Sequence, residues 1–203
     1  MKKSIFIIII AAFLMPDVFS QYFNTTQVGI LMGTRPVNER NTISYNYDAR
    51  TEFFPSITMT HGKIYNEHFA AGIGLGYENF NRNLFPVFLD IRYTLLKNKV
   101  SPFFAIKAGY SLSFSKKKHY DKLTLYYGPV NIENAYLKKG GGLMLHPELG
   151  FRIPINEKSE LLFTVAYRYQ KIKSTVTRIE WREKWEHKEN LNRLSFGVGI
   201  TFK

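Results

Sequence analysis

Large apolar side chains recur at every second position along most of this chain. In LSFGVGITFK they are Leu194, Phe196, Val198, Ile200 and Phe202, with Gly, Ser and Thr between them. In LLFTVAYRYQ they are Leu161, Phe163, Val165, Tyr167 and Tyr169, and in HFAAGIGLGYE they are Phe69, Ala71, Ile73, Leu75 and Tyr77. PVFLDIRYTLL supplies Val87, Leu89, Ile91, Tyr93 and Leu95, and SPFFAIKAGYSLSF runs from Phe104 to Phe114 in the same rhythm. LMLHPELGFRIPI repeats it from Leu143 to Ile155, with Pro147 interrupting. Period two held over about ten residues predicts long strands with one apolar face. Two fainter strands, around Val28, Ile30 and Met32 and around Ile57 and Met59, bring the number to eight.

The connections alternate in length. Short ones fall at 65–68, 97–99 and 157–159, and longer ones at 34–52, 116–139 and 173–190, with 79–83 intermediate. Eight strands joined this way carry short turns at one end and longer loops at the other, as transmembrane barrels do. The face between the large apolar positions is rich in Gly, Ala and Ser, which suits the crowded interior of a narrow barrel. Rings gather near strand ends: Phe69, Tyr93, Phe104 and Phe202 beside the short turns, and Tyr77, Tyr110, Phe114, Tyr167 and Tyr169 beside the loops. Such girdles mark the two membrane interfaces. The expected fold is all-β: an eight-stranded antiparallel up-and-down transmembrane β-barrel, closed between a first strand near 24–33 and a last near 192–203.

The first twenty residues add a compartment. Lys2 and Lys3 precede an apolar run from Ile5 to Met15, Pro16 breaks it, and Val18-Phe19-Ser20 offers a cleavage site. This is a secretory signal, expected to leave a barrel domain at 21–203 with both mature termini periplasmic. The chain has no Cys, so packing and closed hydrogen bonding must hold it. Its net charge of +12 falls to 26 − 15 = +11 without Lys2, Lys3 and Asp17. For an exported protein that points to anionic lipid or lipopolysaccharide rather than nucleic acid.

With this strand rhythm, loop asymmetry and closing GVGITF, residues 21–203 resemble the small outer-membrane β-barrel family of the OmpA/OmpX-like kind. The resemblance implies an outer-membrane location, a monomer, and recognition of the Phe202 region by the barrel-assembly machinery. Lys203 after Phe202 departs from the usual terminal aromatic. Members of the family serve as anchors, adhesins, resistance factors and a few enzymes, so the fold does not assign a function.

Candidate chemistry lies on the inner face. Parity places Glu78, Asp90, Arg92, Lys107, Glu148, Arg152, Arg168 and Arg193 there. Similar depth on neighbouring strands predicts the ion pairs Asp90–Lys107 and Glu148–Arg168, because isolated charges in such an interior are costly. His146 and Glu148, with Ser111 or Ser113, form the one arrangement that could be catalytic, and it faces the lumen rather than lipid. His61, His68, His119 and His187 lack zinc-site spacing, no other cofactor motif is present, and GIGLG lies within a strand with no helix after it. In the outer loops Lys116, Lys117 and Lys118 are expected to meet head groups, and Trp181 and Trp185 are candidates for partner binding. The stretch LTLYY within 116–139 suggests a hairpin extending two barrel strands beyond the membrane. These features favour a non-enzymatic membrane anchor that presents its loops to lipopolysaccharide or another partner. A narrow porin-like channel is the alternative, and a lipid-modifying enzyme the second.

Overall fold

The computed structural model describes residues 21–35, 50–79, 83–96, 100–114, 118–124, 131–178 and 183–203. The signal segment 1–20, Lys116, Lys117 and Trp181 lie outside the described residues. Nine strands follow one another: β1 Gln21–Arg35, β2 Arg50–Ile64, β3 Phe69–Asn79, β4 Asn83–Thr94, β5 Ser101–Ser113, β6 Lys118–Thr124, β7 Asn131–Pro154, β8 Ser159–Arg178 and β9 Lys184–Phe202. Every ladder is antiparallel, β1 pairs with β9, and β5 pairs with β7, so the sheet closes on itself. β6 pairs with Asn131–Leu137 of β7, whereas β5 pairs with Gly142–Arg152. It therefore continues the wall that β5 begins, and the ring has eight walls.

Two of the short turns repeat one local chemistry. In Tyr65-Asn66-Glu67-His68 the Asn66 side-chain oxygen accepts from the backbone N–H of His68 and Phe69, at 2.9 and 2.7 Å. In Ile155-Asn156-Glu157-Lys158 the Asn156 oxygen accepts from Lys158 N at 2.9 Å. An Asn at this place satisfies donors that the sheet no longer reaches. The third short connection is held by Ser101, whose hydroxyl accepts from Leu96 N at 2.7 Å.

Along the lower part of each wall most large apolar residues face outward, and small or charged ones, with a few rings such as Phe88 and Phe103, face inward. Ile73, Leu89, Leu145, Val165 and Val198 are exposed, while Glu78, Asp90, Lys107, Glu148 and Arg168 are buried. Of the expected girdle rings, Tyr77, Tyr93, Phe104, Tyr110, Phe114, Tyr167 and Phe202 are exposed on the outer surface, and Phe69 and Tyr169 are half-buried. The outward apolar run of β8, Leu161 to Tyr169, covers nine residues. That is the length a tilted strand needs to cross a bilayer, about 9–11 residues.

Above that run the arrangement turns inside out. On β8, Ile172 and Val176 point inward and are fully buried, while Lys171 and Lys173 are exposed. Leu191 of β9 is likewise buried, between exposed Asn190 and Asn192. β8 makes the change by moving its apolar residues from odd to even positions. β7 keeps them odd throughout, from Ala135 and Leu137 to Leu143 and Leu145, and changes face with a bulge between Lys139 and Gly142. Glycine is required at that bulge. A Cβ on Gly141 would lie 1.9 Å from the Ser111 carbonyl oxygen, and one on Gly142 1.6 Å from that of Lys171.

The inversion corrects the expected loop lengths. Residues 173–190 are mostly strand, since β8 runs to Arg178 and β9 starts at Lys184. The segment 116–139 contains the expected hairpin, β6 and the outer end of β7. Outside the membrane a strand needs no apolar outer face, so the pattern that announces it fades. The walls are accordingly unequal: β3, β4 and β5 have 11, 12 and 13 residues, and β7, β8 and β9 have 24, 20 and 19. The β8–β9 ladder is unbroken for nineteen pairs, one for each residue from Ser159 to Thr177. β9 meets β1 over only nine, from Asn24 to Met32.

Candidate functional site

The barrel interior holds the candidate chemistry, and it is filled at three levels. At the outer level Leu31, Phe54, Leu84, Ile172 and Leu191 form one buried apolar cluster. Ala135, Leu137 and Val176 form another beyond it, with Trp185 packed against them. At the short-turn end Phe103, Ala105 and Leu162 pack together, and the Arg92 guanidinium lies over the rings of Phe103 and Phe23, 5.1 and 5.7 Å from their centres.

Between these layers sits the charged network. Lys107 Nζ donates to Glu148 Oε2 and to Gln27 Oε1, both at 2.7 Å. Gln27 Nε2 donates onward to Thr164 Oγ1, so β1, β5, β7 and β8 are tied across the lumen. Arg168 Nε donates to His146 Nδ1 at 2.9 Å, and its Nη2 lies 2.8 Å from Glu78 Oε1. With Nδ1 accepting, the neutral imidazole carries its proton on Nε2, which faces Glu148 Oε2 at 3.4 Å. Nearer the short turns Arg92 pairs with Asp90 at 3.3 Å. Arg152 pairs with Glu160 at 2.8 Å and donates to the Leu96 carbonyl. The cavity beside Gln27, Lys107, His146 and Arg168 measures about 10 Å³, which is the room of about one water.

All eight charges assigned to the inner face by parity are buried there: Glu78, Asp90, Arg92, Lys107, Glu148, Arg152, Arg168 and Arg193. Their expected partners need correction. Asp90 and Lys107 do stand opposite one another across β4 and β5, but Lys107 turns to Glu148 and Asp90 to Arg92. Arg168 reaches Glu78 on the far side of the ring instead of Glu148. In a narrow lumen a long side chain reaches diagonal and opposite walls as easily as the adjacent one, so register depth does not select its partner.

Three members of the network escaped the sequence. Gln27 carries no charge and lies on the faintest strand, although its parity beside outward Val28 would have placed it inside. Glu160 follows directly on the short connection at 157–159, one residue before outward Leu161. It also accepts from the Lys203 ammonium, so Lys203 folds back while Phe202 stays outside. Thr164 showed no signal beyond its inward position.

The remaining candidates are dispersed. Ser111 accepts from Gln170, while His146 is engaged by Arg168 and Glu148, so the serine and the imidazole belong to separate contacts. Trp185 lies on β9 against Leu137 and Val176, half-buried in a packed cluster. Lys118 opens β6.

A closed ring of eight antiparallel walls, apolar outside and ion-paired inside, is a transmembrane β-barrel. No protein-family model matches the chain, and no curated protein matches it. Among solved structures it is similar to Neisserial surface protein A, at 9% identity over 90% of this chain and 99% of that one, with a TM-score of 0.55. The outer membrane protein OprG from Pseudomonas aeruginosa is similar at 10% identity over 89% and 95%, with a TM-score of 0.51. The outer membrane protein AlkL, solved in lipid bilayers, is similar at 12% over 89% and 88%, with a TM-score of 0.50. At such identities the likeness concerns fold alone, and the fold is that of the small outer-membrane β-barrels.

Proposed function

We propose that this protein is a non-enzymatic integral outer-membrane barrel, an anchor whose closed lumen does not conduct and whose outer strands and loops face the cell's surroundings. The observation that carries this is the filled lumen. A crossing ion would meet a central cavity of about 10 Å³ between a buried apolar cluster above and stacked Phe and Arg side chains below. Removing Lys107 or Arg168 to widen the path would strand its partner, Glu148 or Glu78, in the interior.

The same proposal includes export by the 1–20 signal, both mature termini on the periplasmic side, and a monomeric barrel in contact with outer-membrane lipid and lipopolysaccharide. It also includes recognition of the Phe202 segment by the barrel-assembly machinery, which the outward exposure of Phe202 supports.

Single-channel recording of the refolded mature chain in a planar bilayer tests the closed lumen. The expected trace has no resolvable steps, with insertion verified separately by protease protection. Steady, salt-dependent steps would replace the anchor with a porin-like channel.

A further inference from the structure

The outer face of the tall wall carries a pattern that the anchor does not require. On β8 the outward positions read Tyr167, Tyr169, Lys171, Lys173, so the strand passes from ring to ammonium in one step. Across it on β9, Lys188 stands opposite Lys173 and Lys184 opposite Thr177. On the β7 side Lys138 stands opposite Thr175. Lys138, Lys171, Lys173, Lys184 and Lys188 are all exposed. Glu186 also lies on this face, and its contact with Lys173 at 3.6 Å is solvent-exposed and correspondingly weak.

Height gives the cluster a meaning. Successive outward residues are about 7 Å apart along a strand, so Lys171 and Lys173 follow directly on the Tyr girdle, at the level of lipid head groups. Below them the outer surface carries an apolar groove of about 940 Å³ that runs from Val28 and Ile30 of β1 across Phe196 of β9 and Val165 of β8 to Leu149 and Phe151 of β7. A free anion would use only the lysines and an acyl chain only the groove. A lipid with several phosphate charges uses both, its chains against the groove and its phosphates among ammonium groups whose long stems bend to the interface.

We infer that the outer face of β7, β8 and β9 binds one phosphorylated lipid of the outer leaflet, with Lys138, Lys171, Lys173 and Lys188 holding its phosphates and the groove below holding acyl chain. This rests on the membrane-anchor proposal, because only insertion brings the face to such a lipid.

The test retains lipid on the purified, refolded barrel in mixed micelles and counts it by mass spectrometry. The probes are bisphosphorylated lipid A, the same lipid dephosphorylated, and inorganic phosphate as a competitor. The wild-type chain is expected to retain the bisphosphorylated form at least about tenfold over the dephosphorylated form. Each lysine near an anionic surface is worth about fivefold. The variant Lys138→Gln/Lys171→Gln/Lys173→Gln/Lys188→Gln should therefore lose at least about tenfold of the retention. Lys171→Gln/Lys173→Gln, carried in parallel, spares β7 and β9 and should lose at least about fivefold. Lys158→Gln, in an exposed turn at the other end, should change nothing. Equal retention of the two lipids, unchanged retention in the lysine variants, or displacement by millimolar inorganic phosphate would each overturn the site. Failure of the wild-type chain to insert into vesicles would remove the anchor and the site together, whereas insertion without discrimination removes the site alone.

Discussion

Lys107 and Glu148 meet inside the lumen at 2.7 Å, and each is almost wholly buried. Removing one charge of such a pair leaves the other in a low-dielectric interior, at a cost of about 3–5 kcal/mol. Lys107→Met and Glu148→Gln should each lower the unfolding free energy of the refolded barrel by that order, read from urea titration in detergent. The double variant should cost well below the sum, because it leaves no stranded charge. Additive losses would mean that the two side chains do not act as a pair. That these groups point inward was legible from parity alone, since Ile106 before Lys107 and Leu149 after Glu148 belong to the outward apolar set. Their choice of partner was not, because the Gln27 amide and the crossing from Arg168 to Glu78 depend on which walls face each other across a closed ring.

At the scale of a strand, β8 carries two opposite rules on one continuous ladder. Val165 faces lipid and Val176 faces the packed interior above it, because the apolar residues change parity along an unbroken strand. Substituting lysine along β8 should expose the change. Val165→Lys should impair insertion by about 2–4 kcal/mol, read as the folded fraction in vesicles. Thr175→Lys, on the outer face above the girdle, should be tolerated, and Val176→Lys should destabilise the outer sheet, seen as a red shift of the Trp185 emission. Uniform tolerance beyond Tyr169 would mean that the upper cluster contributes nothing. The membrane part of β8 was plain in the sequence because lipid enforces apolar groups at alternate positions. Its outer part was hidden because one face there meets water and the other only a small core, so Ile172, Val176 and Trp185 stand too far apart to announce a strand. In β7 the apolar positions do keep step, and the bulge at Gly140–Gly142 that turns them to the other face leaves no mark but three consecutive glycines.

For the molecule as a whole, the ring is built of unequal walls, and the inequality has a mechanical consequence. Pulled by its C-terminal end, β9 could leave alone only by breaking nineteen pairs with β8 as well as nine with β1. Leaving together with β8 preserves the nineteen and breaks instead the sixteen that join β8 to β7, opening the same number of unpaired edges to hydrocarbon, where each orphaned backbone group is costly. Force spectroscopy on the inserted barrel should therefore register a first rupture whose released length matches the segment from Ser159 onward, not that of β9 alone. A first event of single-strand length would show that the ladder between β8 and β9 unzips more readily than the ladder between β7 and β8. The hairpin of β8 and β9, joined to one neighbour by a short seam, would then act as a fuse: the place where a strained barrel yields first, and as one piece.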